Sequence, residues 1–215
     1  MPLHQHITKK IENRLIEQAP FSHFIINDFL PIEIFQKLRS EIKKLVFEKH
    51  PCAFVNKERT VLYLTASNDN KYLKEFHDHI NSQQFIDLIC QHIVSKNTAT
   101  KLKNKELFFE IQIIKDTYGY NIAPHCDTSE NIVHKYLTLL LYFPDDAMNI
   151  NYGTELYEQN KQDKRLMHIK KTVPYIPNLL FGFIPRANTT WHGRQPLNKN
   201  IIRHSVQVFL KQKAD

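Results

Sequence analysis

The sequence predicts an α+β protein in which helices come first and a jelly-roll type sandwich or barrel of short strands follows. Two observations carry this. Up to about Ile93 apolar residues recur at three- and four-residue steps, and from about Leu107 the chain breaks into short apolar runs separated by Pro, Gly, Asn and Asp.

The elements follow in order. Phe24-Ile25-Ile26 reads as a strand, closed by Asn27-Asp28, and Pro31 suits the first turn of a helix, where its missing N–H has no intrahelical partner. Phe35, Leu38, Ile42 and Leu45 then share one helical face. Tyr72, Leu73, Phe76 and Ile80 form a second set and Phe85, Leu88, Ile89 and Ile93 a third, with Asn81-Ser82 breaking them into two helices. The strand-like runs are 107–114, 136–143, 153–157, 166–173, 178–184, 189–192 and 201–210, and the polar stretch 159–164 reads as an exposed loop. One domain over 1–215 is expected, with a mainly helical support over 1–105 and the β core over 106–215.

With 42% apolar residues and charges of both signs, this is the composition of a globular chain. A net charge of +7 would suit an anionic partner, but the cations are scattered, as at Lys43, Lys74, Lys103 and Lys171, and read as solubilising surface. Cys52, Cys90 and Cys126 are an odd number at unrelated spacings, and Met1-Pro2-Leu3-His4-Gln5-His6 has no apolar segment behind it. The expectation is a cytoplasmic protein without a disulfide framework. No apolar run approaches the ~20 residues that would cross a bilayer.

The chemistry concentrates in the second half. In His125-Cys126-Asp127 an extended backbone turns the imidazole and the carboxylate to the same side. By itself the pair is commonplace. With His192, on a late strand, it makes two His and one carboxylate, the set that binds non-haem Fe(II) on one face and leaves the opposite positions open. Further on, Arg203, Ser205 and Gln207 share one strand face and His204, Val206 and Val208 the other. An inward guanidinium needs an anion, and a carboxylate fits its planar fork, so a dicarboxylate co-substrate is the expected partner. In the strand around Leu137 to Phe143, Thr138, Leu140 and Tyr142 share a parity, and the Tyr142 hydroxyl would find the same carboxylate. His77 and His79, about 200° apart on a helix, make a poor ligand pair, and His4 and His6 are expected in a mobile stretch.

Pro124-His125-Cys126-Asp127, the run 137–143, Gly153-Thr154-Glu155-Leu156-Tyr157, Asn178-Leu179-Leu180-Phe181-Gly182-Phe183, Trp191-His192-Gly193 and Arg203-His204-Ser205 occur in one order. In this the chain resembles the 2-oxoglutarate and Fe(II)-dependent oxygenases, in their bacterial, prolyl-hydroxylase-like branch, over about Phe109 to Leu210. The resemblance implies a double-stranded β-helix (jelly-roll, cupin-like) core. It implies His125, Asp127 and His192 as iron ligands with catalytic roles, and Arg203, Ser205 and Tyr142 around the distal carboxylate of 2-oxoglutarate. Tyr118 or Tyr120 would line the pocket, and Trp191 and Arg194 would flank substrate. The cofactors implied are Fe(II), 2-oxoglutarate and O2, with ascorbate as a compatible reductant.

The implied reaction is hydroxylation of a C–H bond coupled to decarboxylation of 2-oxoglutarate. A small molecule or biosynthetic intermediate is the leading substrate class. The alternatives are a protein side chain, as in prolyl hydroxylation, and a catalytically silent metal-binding jelly roll. Arg203 is followed by no second arginine, unlike the nucleic-acid dealkylases of the superfamily, which argues against nucleic acid as a partner. The substrate and the oligomeric state are not written in the residues.

Overall fold

The computed structural model describes residues 3–47, 58–94, 98, 100, 102, 105–129, 135–145, 150–160, 162–163, 166–198 and 201–213. Lys103 and Cys52 lie outside these residues, as do parts of the 159–164 stretch.

A helix, α1 (Leu3–Glu12), stands where a mobile stretch was expected. The reason is burial: Ile7 and Ile11 lie one turn apart, and both are withdrawn from solvent into the helical core. Two short strands, β1 (Leu15–Glu17) and β2 (His23–Ile26), follow and pair antiparallel. Pro31 stands at the N-cap of α2 (Ile32–Lys44), which buries Phe35, Leu38 and Ile42 as their spacing predicts. Strand β3 (Arg59–Leu64) was not expected from the periodicity. Then come α3 (Lys71–Ile80) and α4 (Gln83–His92), separated at the Asn81-Ser82 break. Their starts are set by side-chain caps: Asn70 accepts from the amides of Tyr72 and Leu73, and Ser82 accepts from that of Phe85.

The second half is β4 (Leu107–Asp116), β5 (Ile122–His125), β6 (Leu137–Tyr142), β7 (Glu155–Gln159), β8 (Met167–Thr172), β9 (Leu180–Phe183), β10 (His192–Arg194) and β11 (Arg203–Gln212). They form two antiparallel sheets, one of seven strands in the order β1-β2-β9-β6-β11-β4-β3 and one of four in the order β5-β10-β7-β8. The first half therefore contributes more than helical support, because β1, β2 and β3 are strands of the larger sheet. The 189–192 run forms a strand only from His192 onward.

Strand alternation decides which side chain meets which layer. Leu137, Leu139 and Leu141 of β6, Phe109, Ile111 and Ile113 of β4 and Val206, Val208 and Leu210 of β11 join the helices in one apolar cluster. Each such buried side chain contributes about 1.5–3 kcal/mol relative to exposure. The opposite face of the same strands looks toward the four-stranded sheet. It carries a second apolar cluster around Leu140, Tyr142, Phe181 and Phe183, together with the polar residues of a cavity. Cys90 and Cys126 are free thiols. Among the described residues no helix is long and apolar enough to cross a membrane.

Candidate metal centre

Strands β5 and β10 pair with His125 opposite His192, which brings their rings to 4.3 Å between centroids. The approach depends on Gly193: a Cβ there would stand 2.7 Å from the Ile122 carbonyl oxygen and 3.1 Å from that of Ala123. Asp127 follows as the chain leaves β5, and its Oδ2 is 3.7 Å from His192 Nε2. One ligand atom from each of the three residues lies within 4.8 Å of the others, and among the described residues no other group of three His, Cys, Asp or Glu is so arranged.

Each of these three side chains is held by a second contact. His125 Nδ1 is 3.0 Å from the Ala123 carbonyl and His192 Nδ1 is 2.9 Å from the Thr190 carbonyl. A carbonyl only accepts, so Nδ1 carries the proton in both rings and Nε2 keeps its lone pair for a metal. Thr138 donates to Asp127 Oδ2 at 2.7 Å and Lys135 donates to Oδ1 at 2.8 Å. Burial pushes the Asp127 carboxyl up, but His192 and Lys135, with the hydrogen bonds from Lys135 and Thr138, outweigh it and hold it at about 2. Burial takes His192 down to about 4, against the pull of Asp127. At neutral pH the set is therefore an ionised carboxylate and, at His192, a neutral imidazole, the forms that ligate metal.

These residues line a cavity of about 210 Å³ between the sheets, whose other wall includes Arg203, Arg59, Tyr120 and Gln207. A groove of about 940 Å³ beside β3, β4 and α4 is larger, but it holds no ligating group of this kind. The Arg203 side chain is 3% exposed. Its anion comes from within the chain: Nη1 donates to Asp116 Oδ2 at 2.8 Å, while Nε donates to the Tyr152 carbonyl at 2.8 Å. Ser205 Oγ stands 3.4 Å from Nη1, beneath the guanidinium and off the cavity wall.

Tyr142 has its hydroxyl partners within the chain. Its hydroxyl bonds Thr154 Oγ1 at 2.8 Å and accepts the Thr154 amide at 3.1 Å, one residue behind the cavity lining that Thr154 forms. Its ring lies under Arg203, 5.4 Å from the guanidinium carbon. Of the two other tyrosines, Tyr120 lines the cavity and Tyr118 is exposed. Arg194 lines it too, paired with Glu155 at 3.1 Å, whereas Trp191 does not. His204 faces the helical side against Phe47, as strand parity requires.

Arg59, Asp116, Lys135 and Thr138 are the site residues that the motifs did not single out. Lys135 gave one signal, a cation two residues before a strand made mostly of leucine. The contact of Arg59 and Arg203 with Asp116 depends on register, since both stand opposite it across β4.

No family model matches the chain, and no curated protein is similar to it in sequence. Solved structures are similar to it. A prolyl-4-hydroxylase of Pseudomonas putida matches with a TM-score of 0.64 at 12% identity, over 97% of this chain and 100% of that one. HygX from Streptomyces hygroscopicus, solved with nickel, 2-oxoglutarate and hygromycin B, matches with a TM-score of 0.58 at 11% identity, over 88% and 82%. A prolyl hydroxylase of Trichoplax adhaerens, in complex with a hypoxia inducible factor peptide fragment, matches with a TM-score of 0.54 at 12% identity, over 97% and 88%. The fold is thus α+β with the double-stranded β-helix core of the 2-oxoglutarate-Fe(II) oxygenases, as the motifs implied.

Proposed function

We propose that this chain is an Fe(II)- and 2-oxoglutarate-dependent dioxygenase that hydroxylates a small molecule or biosynthetic intermediate. The observation that carries the reading is the convergence of His125, Asp127 and His192 on one wall of a cavity whose other wall presents the buried guanidinium of Arg203.

The residues present fit the groups. Two imidazoles with Nδ1 committed to carbonyls and one ionised carboxylate are the donor set for Fe(II), and three such ligands would leave further positions of the ion open. The Tyr120 hydroxyl, 2% exposed as a residue and without a hydrogen-bond partner, is an orphan donor on the cavity wall, as expected where an oxygen-rich ligand binds.

In this reading His125, Asp127 and His192 hold the iron, and Thr138 and Lys135 fix which carboxylate lone pairs face it. Arg203 holds the distal carboxylate of 2-oxoglutarate, oriented by Tyr152, Ser205 and the Tyr142 ring. Tyr142 supports Arg203 through its ring, not its hydroxyl. Iron, 2-oxoglutarate and O2 together supply an oxidant able to hydroxylate a C–H bond, with succinate and CO2 as co-products. The site lies between the sheets, where the side chains of Asp127, His192 and Arg203 are largely withdrawn from water, which strengthens the charge-assisted hydrogen bonds they make. A small substrate accords with a polar-lined cavity of this size.

Uncoupled turnover tests the reading. The protein with Fe(II), ascorbate and 2-oxoglutarate should form succinate slowly without added substrate, and His125→Ala should abolish it. Absence of succinate together with absence of 2-oxoglutarate binding would leave a metal-binding jelly roll in its place.

A further inference from the structure

The acid-binding end of the cavity contains a second guanidinium. Arg59, from β3, grips Asp116 with two donors, Nε to Oδ1 at 2.6 Å and Nη2 to Oδ2 at 2.9 Å, while Arg203 donates to the same Oδ2 from β11. The side chains of Asp116, Arg203 and Arg59 are 0%, 3% and 14% exposed. Two cations thus share one anion where water is scarce, and one positive charge is left over.

Donors are left over as well. Arg203 Nη2 and Arg59 Nη1 make no hydrogen bond to any described residue. Tyr120 lies under Arg59, 4.2 Å from its guanidinium carbon, and its hydroxyl has no partner. Burial pushes that hydroxyl upward from its ordinary value, so it remains a proton donor at neutral pH. Buried charge and unmet donors are costly unless an anion meets them.

We propose that Arg59 and the Tyr120 hydroxyl bind the distal carboxylate of the co-substrate alongside Arg203, while Asp116 acts as a positioning residue that holds the two guanidinium groups side by side. This rests on the reading of the site given above. The pocket is then a two-arginine clamp with a built-in carboxylate, and its surplus of one positive charge matches the one negative charge of the incoming group.

The test is calorimetric titration of the full chain loaded with Mn(II), using two ligands. 2-Oxoglutarate carries the distal carboxylate, and pyruvate has the same keto-acid end without it. Arg59→Met should weaken 2-oxoglutarate binding by about tenfold to a hundredfold, Arg59→Lys by less, and Tyr120→Phe by about three- to tenfold. Pyruvate binding should not change in any of the three. Tyr120→Phe removes one oxygen and keeps the ring under Arg59, so it decides the matter if Arg59→Met does not fold. If Arg59→Met and Tyr120→Phe bind 2-oxoglutarate as the wild type does while Arg203→Ala does not, the second clamp residue is refuted and the oxygenase reading stands. A parallel loss for both ligands refutes it too, because it would mark Arg59 as purely structural. Wild-type protein that takes up Mn(II) but neither ligand would remove the oxygenase reading and this inference together.

Discussion

Thr138→Val tests whether the support behind the carboxylate ligand matters to the metal. The hydroxyl of Thr138 donates to Asp127 Oδ2 at 2.7 Å from a residue that is 1% exposed, and valine replaces it with a methyl group of nearly the same shape. The packing of β6 is kept and a single hydrogen bond is lost. Loss of such an outer contact to a ligating carboxylate costs about 10- to 100-fold in metal affinity, which is about 1.4–2.8 kcal/mol. The burial that pushes the Asp127 carboxyl up would also be less well opposed, so protons would compete better with the metal. Mn(II) binding to the full chain, read from the free-ion spin-resonance signal at fixed pH, gives the number directly. Thr138→Ser keeps the hydroxyl and should bind close to the wild-type value. Equal affinity for the valine variant and the wild type, or an equal loss for serine and valine, would refute the reasoning.

Two further expectations follow from the same geometry. Tyr142→Phe leaves the buried Thr154 amide without its acceptor, so it should lower stability by about 1–3 kcal/mol in urea unfolding. Calorimetry should show 2-oxoglutarate affinity little changed, because Thr154 already engages the hydroxyl; a large loss of affinity would place that hydroxyl on the ligand after all. The second concerns pH. Burial lowers His192 from 6.5 to about 4, so between these values the unfolded chain binds the proton and the folded one does not. In metal-free protein His192 should therefore contribute a loss on the order of 3 kcal/mol as pH falls from 6.5 to 4, and His79, which burial also lowers to about 4, adds a loss in the same direction. Asp127, held at about 2 against an ordinary 3.8, stabilises above 3.8 and withdraws that stability only below it. Urea midpoints from pH 7 to 4 measure the effect, and a His192→Asn profile as steep as the wild type would contradict the assignment.

The sequence alone determined the order of the chemistry. A metal set needs particular residue types, so His125-x-Asp127 followed by His192 could be picked out before any fold was known, and strand parity placed Arg203 and Ser205 together and turned His204 away. The helices over 32–44, 71–80 and 83–92 were legible because their faces repeat at the helical period. Only the tertiary structure decided the partners. Arg59, Asp116 and Arg203 meet through the register of β3, β4 and β11, with 57 residues separating Arg59 from Asp116 and 87 separating Asp116 from Arg203. The Tyr142 hydroxyl goes to Thr154 because the two sheets face each other, with β6 in the larger and Thr154 just before β7 of the smaller. Composition and period say which face a side chain occupies, but a charge or a hydroxyl is satisfied by whatever long-range pairing sets opposite it, and that pairing is a property of the assembled sheets.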